Sequence, residues 1–152
     1  MYTLKSQREI SKIRDACKVV AEILQVLIEE ATEGVSTNDL DRRAHELTLK
    51  KGALPAFKGY NGFPKTLCAS VNEEVVHGIP DDRILENGDI VGLDFGVVVD
   101  GWYGDSAVTV SIGSVSEKAK KLMKVTEECL YKGIEAAIPG NKLGDIGFAV
   151  QE

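Results

Sequence analysis

No part of this sequence approaches the roughly 20 consecutive apolar residues that a membrane-crossing helix requires. Residues 1–9 mix charged and polar side chains where a signal peptide would be apolar. A cytoplasmic chain with no membrane partner is therefore expected. Positive charge is also short: 18 Lys and Arg stand against 24 Asp and Glu, for a net charge of -6. No strongly basic run exceeds a few residues, so nucleic acid is not an expected partner. Arg42-Arg43 and Lys120-Lys121 read as solvated helix faces. The three cysteines, Cys17, Cys68 and Cys129, are too few, too scattered and odd in number for a disulfide framework or zinc-finger spacing. Cys17 and Cys129 fall on apolar helix faces, where core packing is expected. What remains is an ordinary globular composition, 43% hydrophobic and 28% charged over 152 residues. That length suits one domain with a real core.

Ser6 and Glu9 form a capping-box pattern that opens a helix. Its apolar face runs through Ile10, Ile13, Cys17, Val20, Leu24 and Leu27, and Gly34 closes it. Ser36 starts a second helix through Leu40, Ala44 and Leu47, stopped at Gly52. Residues 55–80 are rich in glycine, aromatic and polar side chains and read as short strands and loops, which often carry function on a rigid scaffold. A hairpin follows. Residues 90–99 and 102–112 are β-rich, and Asp100-Gly101 between them is a favoured pair for a two-residue turn. Ser114 and Glu117 are expected to cap a third helix running to Ile138, and Pro139-Gly140 break it. A fourth begins near Lys142, with Leu143, Ile146 and Val150 on one face, and reaches Glu152 without a stop signal. Ala31, Gly34, Asp39 and Leu40 recur at the spacing of Ala137, Gly140, Asp145 and Ile146, a faint internal repeat. The first copy continues into a hairpin and the second does not, so the chain is expected to stop partway through a larger fold.

The hairpin geometry follows from its turn. With Asp100 and Gly101 at the tip, Val99 faces Trp102 and Gly96 faces Asp105. Asp94 then shares a face with Asp105, diagonally across the strands, the β-carbons about 7–8 Å apart or less. Asp94 lies in Ile90-Val91-Gly92-Leu93-Asp94-Phe95, which reads as a buried strand. Two carboxylates on a buried face repel each other and lose hydration, and need protons or a cation between them. A divalent ion such as Mn, Co, Fe or Zn is the simplest compensation. The competing reading is a surface hairpin with two solvated aspartates, and the hairpin holds no other obvious ligand.

His77 precedes Gly78-Ile79-Pro80 where a loop leaves a strand. It is placed to hydrogen-bond a substrate or shuttle a proton, or it is a turn histidine bonded to backbone. His45, among Arg42, Arg43 and Glu46 on a helix, is expected to be exposed. The stretch Gly59-Tyr60-Asn61-Gly62-Phe63-Pro64, with Cys68 soon after, reads either as the wall of an apolar pocket or as a loop with core aromatics.

Residues 57–105 resemble type I methionine aminopeptidases. The likeness is carried by Lys58-Gly59-Tyr60-Asn61-Gly62-Phe63-Pro64-Lys65, then Cys68, Ser70 and Val71-Asn72-Glu73, then Val76-His77-Gly78-Ile79-Pro80. Gly88-Asp89-Ile90, Asp94 and Gly104-Asp105 follow at the family's spacing, and the similarity extends over the whole chain. The resemblance implies the pita-bread (creatinase/aminopeptidase) fold, an α/β (α+β) arrangement of an antiparallel sheet with covering helices in two pseudo-symmetric halves. Residues 1–152 would be one partial domain, 1–113 the first half and 114–152 the first two helices of the second.

By the same resemblance, Asp94 and Asp105 stand where the family has two aspartate ligands of a dinuclear site, Asp105 in the bridging place. His77 stands for the histidine that contacts substrate, and Tyr60, Phe63 and Cys68 for part of the methionine pocket. Phe63 replaces a tyrosine found in many relatives. The family's other ligands, one histidine and two glutamates, have no counterpart here, nor has its second catalytic histidine. One of those glutamates is also the general base. The implied function is metal-dependent removal of the initiator methionine from nascent proteins, with a peptide or nascent-chain N-terminus as partner. This chain is expected to hold its metals weakly or not at all and to be inactive alone. Exposed apolar surface is expected to drive self-association. The alternatives are a prolidase or aminopeptidase P relative, which shares the metal geometry, and a non-catalytic module that binds peptide ends or a partner. His77-Gly78-Ile79-Pro80 together with Tyr60 and Cys68 favours methionine.

Overall fold

Two serines fix where the covering helices begin. In the computed structural model, which describes residues 3–152, Ser6 caps helix α1 (Gln7–Glu30). Its hydroxyl accepts from the Glu9 amide at 3.3 Å while the Ser6 amide donates to Glu9 Oε2 at 2.7 Å. Ser36 and Asp39 do the same for α2 (Thr37–Lys50), at 3.0 and 3.3 Å. Each box satisfies two amides that a helix start leaves free. The chain then supplies four strands, β1 (Leu54–Pro55), β2 (Leu67–Val71), β3 (Ile90–Val99) and β4 (Trp102–Ser111). All pairings are antiparallel. β3 is central, flanked along its whole length by β4 and on its other side by β2 and β1.

Alternation along β3 divides the sheet into two faces. Val91, Leu93, Phe95 and Val97 are fully buried and pack with Leu67, Ala69 and Val71 of β2 under Val20, Ile23 and Leu27 of α1 and Leu40 and Ala44 of α2. Val20, Leu24 and Leu27 of α1 are buried as expected, but the stripe shifts by one residue nearer its start. Ala16 is buried and Cys17 is exposed, so Cys17 is not a core residue. The cause is close approach: a β-carbon on Gly104 would lie 2.6 Å from the Ala16 carbonyl carbon. Only glycine on β4 lets the α1 backbone come down onto the strand there.

Residues 115–152 form a separate compact unit of two helices, α3 (Glu117–Ala136) and α4 (Leu143–Gln151). The cap of α3 is Ser116, whose hydroxyl accepts from the Ala119 amide, and not Ser114 as expected. The Ser114 amide donates instead to Asn87 Oδ1 at 2.9 Å, which ties Ser114 to the preceding turn. Gly133 is the contact point with α4, where a β-carbon would meet Val150 Cγ2 at 2.9 Å. Leu122, Leu130, Ile134, Leu143 and Phe148 are exposed, and Cys129 is half-buried. Among the described residues no helix is long and apolar enough to cross a membrane.

Candidate metal centre

The tight turn sets the position of both aspartates. Asp100 and Gly101 take positive φ values of 49° and 80°, the backbone of a primed hairpin turn. Val99 pairs with Trp102, Gly96 with Asp105 and Asp94 with Ala107, without a bulge. Asp94 and Asp105 therefore lie on one face, diagonal to each other, as the turn position required. That face is not the core face. Asp94 is half-buried and Asp105 exposed, because Val91, Leu93, Phe95 and Val97, the fully buried side chains of β3, point the other way.

On this face Cys68 of β2 sits directly opposite Asp94, with Ser70 two residues along. Phe57 closes one side: a β-carbon on Gly96 would lie 2.8 Å from Phe57 Cε1. Sequence reasoning did not single out Phe57. The glycine in mid-strand was the available signal, since such a residue marks a close approach.

His77 comes in along the free edge of β2. Gly78 accepts a bond from the Ala69 amide at 3.0 Å and donates to Ser70 Oγ at 3.1 Å. A β-carbon on Gly78 would overlap the Ala69 carbonyl oxygen. His77 itself holds φ 59°, a left-handed conformation uncommon for a non-glycine residue. It is exposed, and its charge acts on Asp94. His45, expected to be exposed, is instead half-buried, with Nδ1 3.1 Å from Thr66 Oγ1. Nearby, Asp41 Oδ1 accepts from the Thr66 and Leu67 amides at 2.7 and 3.0 Å and anchors the start of β2.

Burial raises the Asp94 pKa, and the like charge of Asp105 raises it further, against the opposing influence of His77. The Cys68 thiol is pushed up to about 11, first by burial, then by Asp94, Asp105 and Asp41. Cys68 is thus a neutral thiol near pH 7 and not a nucleophile.

The Asp94 shift has a measurable consequence. A carboxyl whose pKa is higher in the folded chain than in the unfolded one costs stability when ionised. The cost is absent below the unfolded pKa, grows as pH rises to the folded value and is complete above it. Asp94→Asn is expected to stabilise the metal-free chain at neutral pH by up to about 1 kcal/mol, a small figure because the group remains partly solvated. At about pH 3, below the ordinary carboxylate pKa, the gain should vanish. Urea unfolding in EDTA at both pH values measures it, and a loss of stability at neutral pH would contradict the assignment.

The donors fit a divalent cation in kind but only as part of a set. Two carboxylates share a face, yet among the described residues no three His, Cys, Asp or Glu side chains converge to hold a metal. Tyr60 is 71% exposed, Phe63 half-buried and Cys68 buried. His77 is exposed as well. A depression lined by Glu30, Val35, Leu40, Arg43 and Glu46 lies elsewhere, between the end of α1 and α2.

Residues 11–152 match metallopeptidase family M24. The chain is 48% identical to a methionine aminopeptidase of Clostridium acetobutylicum, covering 100% of this chain and 61% of that protein. A methionine aminopeptidase from Rickettsia prowazekii superposes with a TM-score of 0.97 at 43% identity, over 99% of this chain and 61% of the other. Prolidase from Pyrococcus furiosus superposes with a TM-score of 0.87 at 26% identity, over 97% of this chain and 42% of the other. The chain thus spans about 61% of the length of the methionine aminopeptidases it matches.

Proposed function

Because the chain belongs to metallopeptidase family M24, we propose that it carries the first part of the metal and substrate site of a cytoplasmic methionine aminopeptidase. Its fold is the pita-bread α/β fold of its structural neighbours, an antiparallel sheet covered by helices. The substrate is a peptide or nascent chain that begins with methionine. The observation that carries this reading is the hairpin register, which sets Asp94 and Asp105 on one face. Likeness to prolidase is weaker in both identity and superposition, which favours methionine over Xaa-Pro substrates.

Asp94 and Asp105 are the residues that hold divalent metal, normally a pair of ions drawn from Mn, Co, Fe or Zn. When bound, such ions would supply Lewis-acid chemistry for peptide hydrolysis. His77, exposed at the rim, donates a hydrogen bond to the substrate oxygen on which charge develops. Its left-handed backbone and the anchored Gly78 fix the main chain from which the ring projects. Cys68, neutral and buried, forms the floor for an apolar side chain, and Tyr60 and Phe63 supply aromatic walls. The Phe57 ring lies beside Gly96, the residue that pairs with Asp105.

Titration with Mn(II), followed by calorimetry and by the electron paramagnetic resonance of the free ion, tests the metal role. Weak binding is expected, because affinity follows ligand number and two carboxylates are few. Either Asp94→Asn or Asp105→Asn should abolish it, and binding that survives both substitutions would refute the assignment.

A further inference from the structure

His77 stands at the end of a short loop, residues 72–77, that leaves β2 after Val71 and comes back against the same strand at Gly78. Both ends of the loop are left-handed, with φ 57° at Asn72 and 59° at His77. Asn72 is held there by its own side chain: Oδ1 accepts from the Ile90 amide at 3.0 Å and Nδ2 donates to Asp89 Oδ1 at 2.7 Å. A left-handed residue other than glycine persists only where its surroundings over-determine it, and beside His77 those surroundings include Gly78 and Glu74. The Glu74 amide donates to the Val71 carbonyl at 3.2 Å, and Glu74 Oε2 accepts from the Val71 amide at 2.9 Å. The same oxygen lies against Gly78, where a β-carbon would come within 2.9 Å of it. Glu74 Oε1 stands 3.7 Å from Arg83 Nη1.

We infer that Glu74 is the positioning residue for His77: its carboxylate joins the Val71 amide of β2 to the Gly78 backbone and so holds the loop that presents the imidazole. The inference rests on the substrate role proposed above for His77.

The hydrogen bond, and not the ion pair, does the holding. Val71 is fully buried, and a buried amide left without an acceptor is costly. A bond from an amide to a carboxylate is also stronger than one between neutral groups. The contact with Arg83 is long, and the two side chains are 44% and 37% exposed, so it is an ion pair of the kind that contributes little. With the acceptor gone, water reaches the Val71 amide only if the loop lifts. The bond from the Ala69 amide to the Gly78 carbonyl, two residues along the same strand, lies at the end of that loop and loosens with it. His77, next to Gly78, then leaves its left-handed conformation for the commoner ones.

Nuclear magnetic resonance of the whole chain, in EDTA, tests this. A left-handed φ brings a residue's amide proton close to its own Hα, so His77 should show a strong cross-peak between the two. In Glu74→Ala that cross-peak should weaken to the level of ordinary strand residues. The Ala69 amide should exchange with solvent about 10- to 100-fold faster. Glu74→Gln keeps an oxygen for the Val71 amide and should restore both. The chain has two histidines, so the His45 ring is the internal control: its signals should stay while those of His77 move. An unchanged His77 cross-peak and Ala69 exchange rate in Glu74→Ala would overturn the inference. Equal losses in Glu74→Gln would assign the hold to charge and overturn it too, as would a shift of His45 together with His77, the mark of a general loss of fold. An excess of Met-Ala-Ser peptide tests the substrate role separately. If the His77 ring signals of the unaltered chain do not move, that role fails, while Glu74→Ala and Glu74→Gln still decide what holds the loop.

Discussion

Purified and supplied with excess Mn(II), the chain should release methionine from a Met-Ala-Ser peptide far more slowly than a complete methionine aminopeptidase. The proposed site has two metal carboxylates, Asp94 and Asp105, and one substrate-facing histidine, His77. The resemblance assigns the remaining ligands and the general base to residues with no counterpart here. Loss of a general base alone costs typically about 10²–10⁴-fold in rate. A cation held by few donors is also seldom in place, so the combined deficit should exceed that of the base. The control is Asp94→Ala, which separates the chain's own turnover from contaminating host enzyme. Turnover comparable to a complete enzyme, and lost in that variant, would show that the chain needs none of the missing groups.

The largest stability effect should come from Phe95→Ala. Phe95 is fully buried on the core face of β3, next in sequence to Asp94. Truncating a buried phenylalanine to alanine costs about 3–5 kcal/mol, from lost burial plus the cavity left behind. In a chain of this size that corresponds to a Tm lower by roughly 6–20 °C. Urea unfolding should show the midpoint fall with an unchanged slope. A loss below about 1 kcal/mol would mean that the core relaxes around the cavity far more completely than close packing allows. Phe63→Ala, at a half-buried loop position, should cost much less, so the pair distinguishes a core aromatic from a site aromatic.

Local rules governed what the sequence made legible. The box at Ser6, the helix start at Ser36 and the Asp100-Gly101 turn depend on residues within a few positions of each other, and they appear in the structure as read. The diagonal placement of Asp94 and Asp105 followed from that turn alone. What failed depended on distant partners. Cys17 fits the apolar spacing of α1 but is exposed, because Gly104 of β4 draws Ala16 inward instead. Ser114 fits the capping pattern of α3 but is taken by Asn87. His45 shows no local reason for burial, yet it meets Thr66 from across the α2–β2 contact. Which face of β3 was the core was also hard to read, because Ile90, Gly92, Gly96 and Val98 leave Asp94 the one polar side chain on its face of the strand.

The hairpin that bears both aspartates also bears on how the chain reaches its native state. Asp94 and Asp105 sit on neighbouring strands joined by a two-residue turn, so their juxtaposition requires only a short segment to close on itself. Hairpins form on a scale of about 1–10 μs, long before contacts between remote segments such as α1 and β4 need be made. The acidic pair is therefore assembled early, while the surrounding chain is still open to solvent and ions. Its mutual repulsion then opposes hairpin closure from the outset, and a divalent ion present during refolding should speed that step as well as stabilise its product.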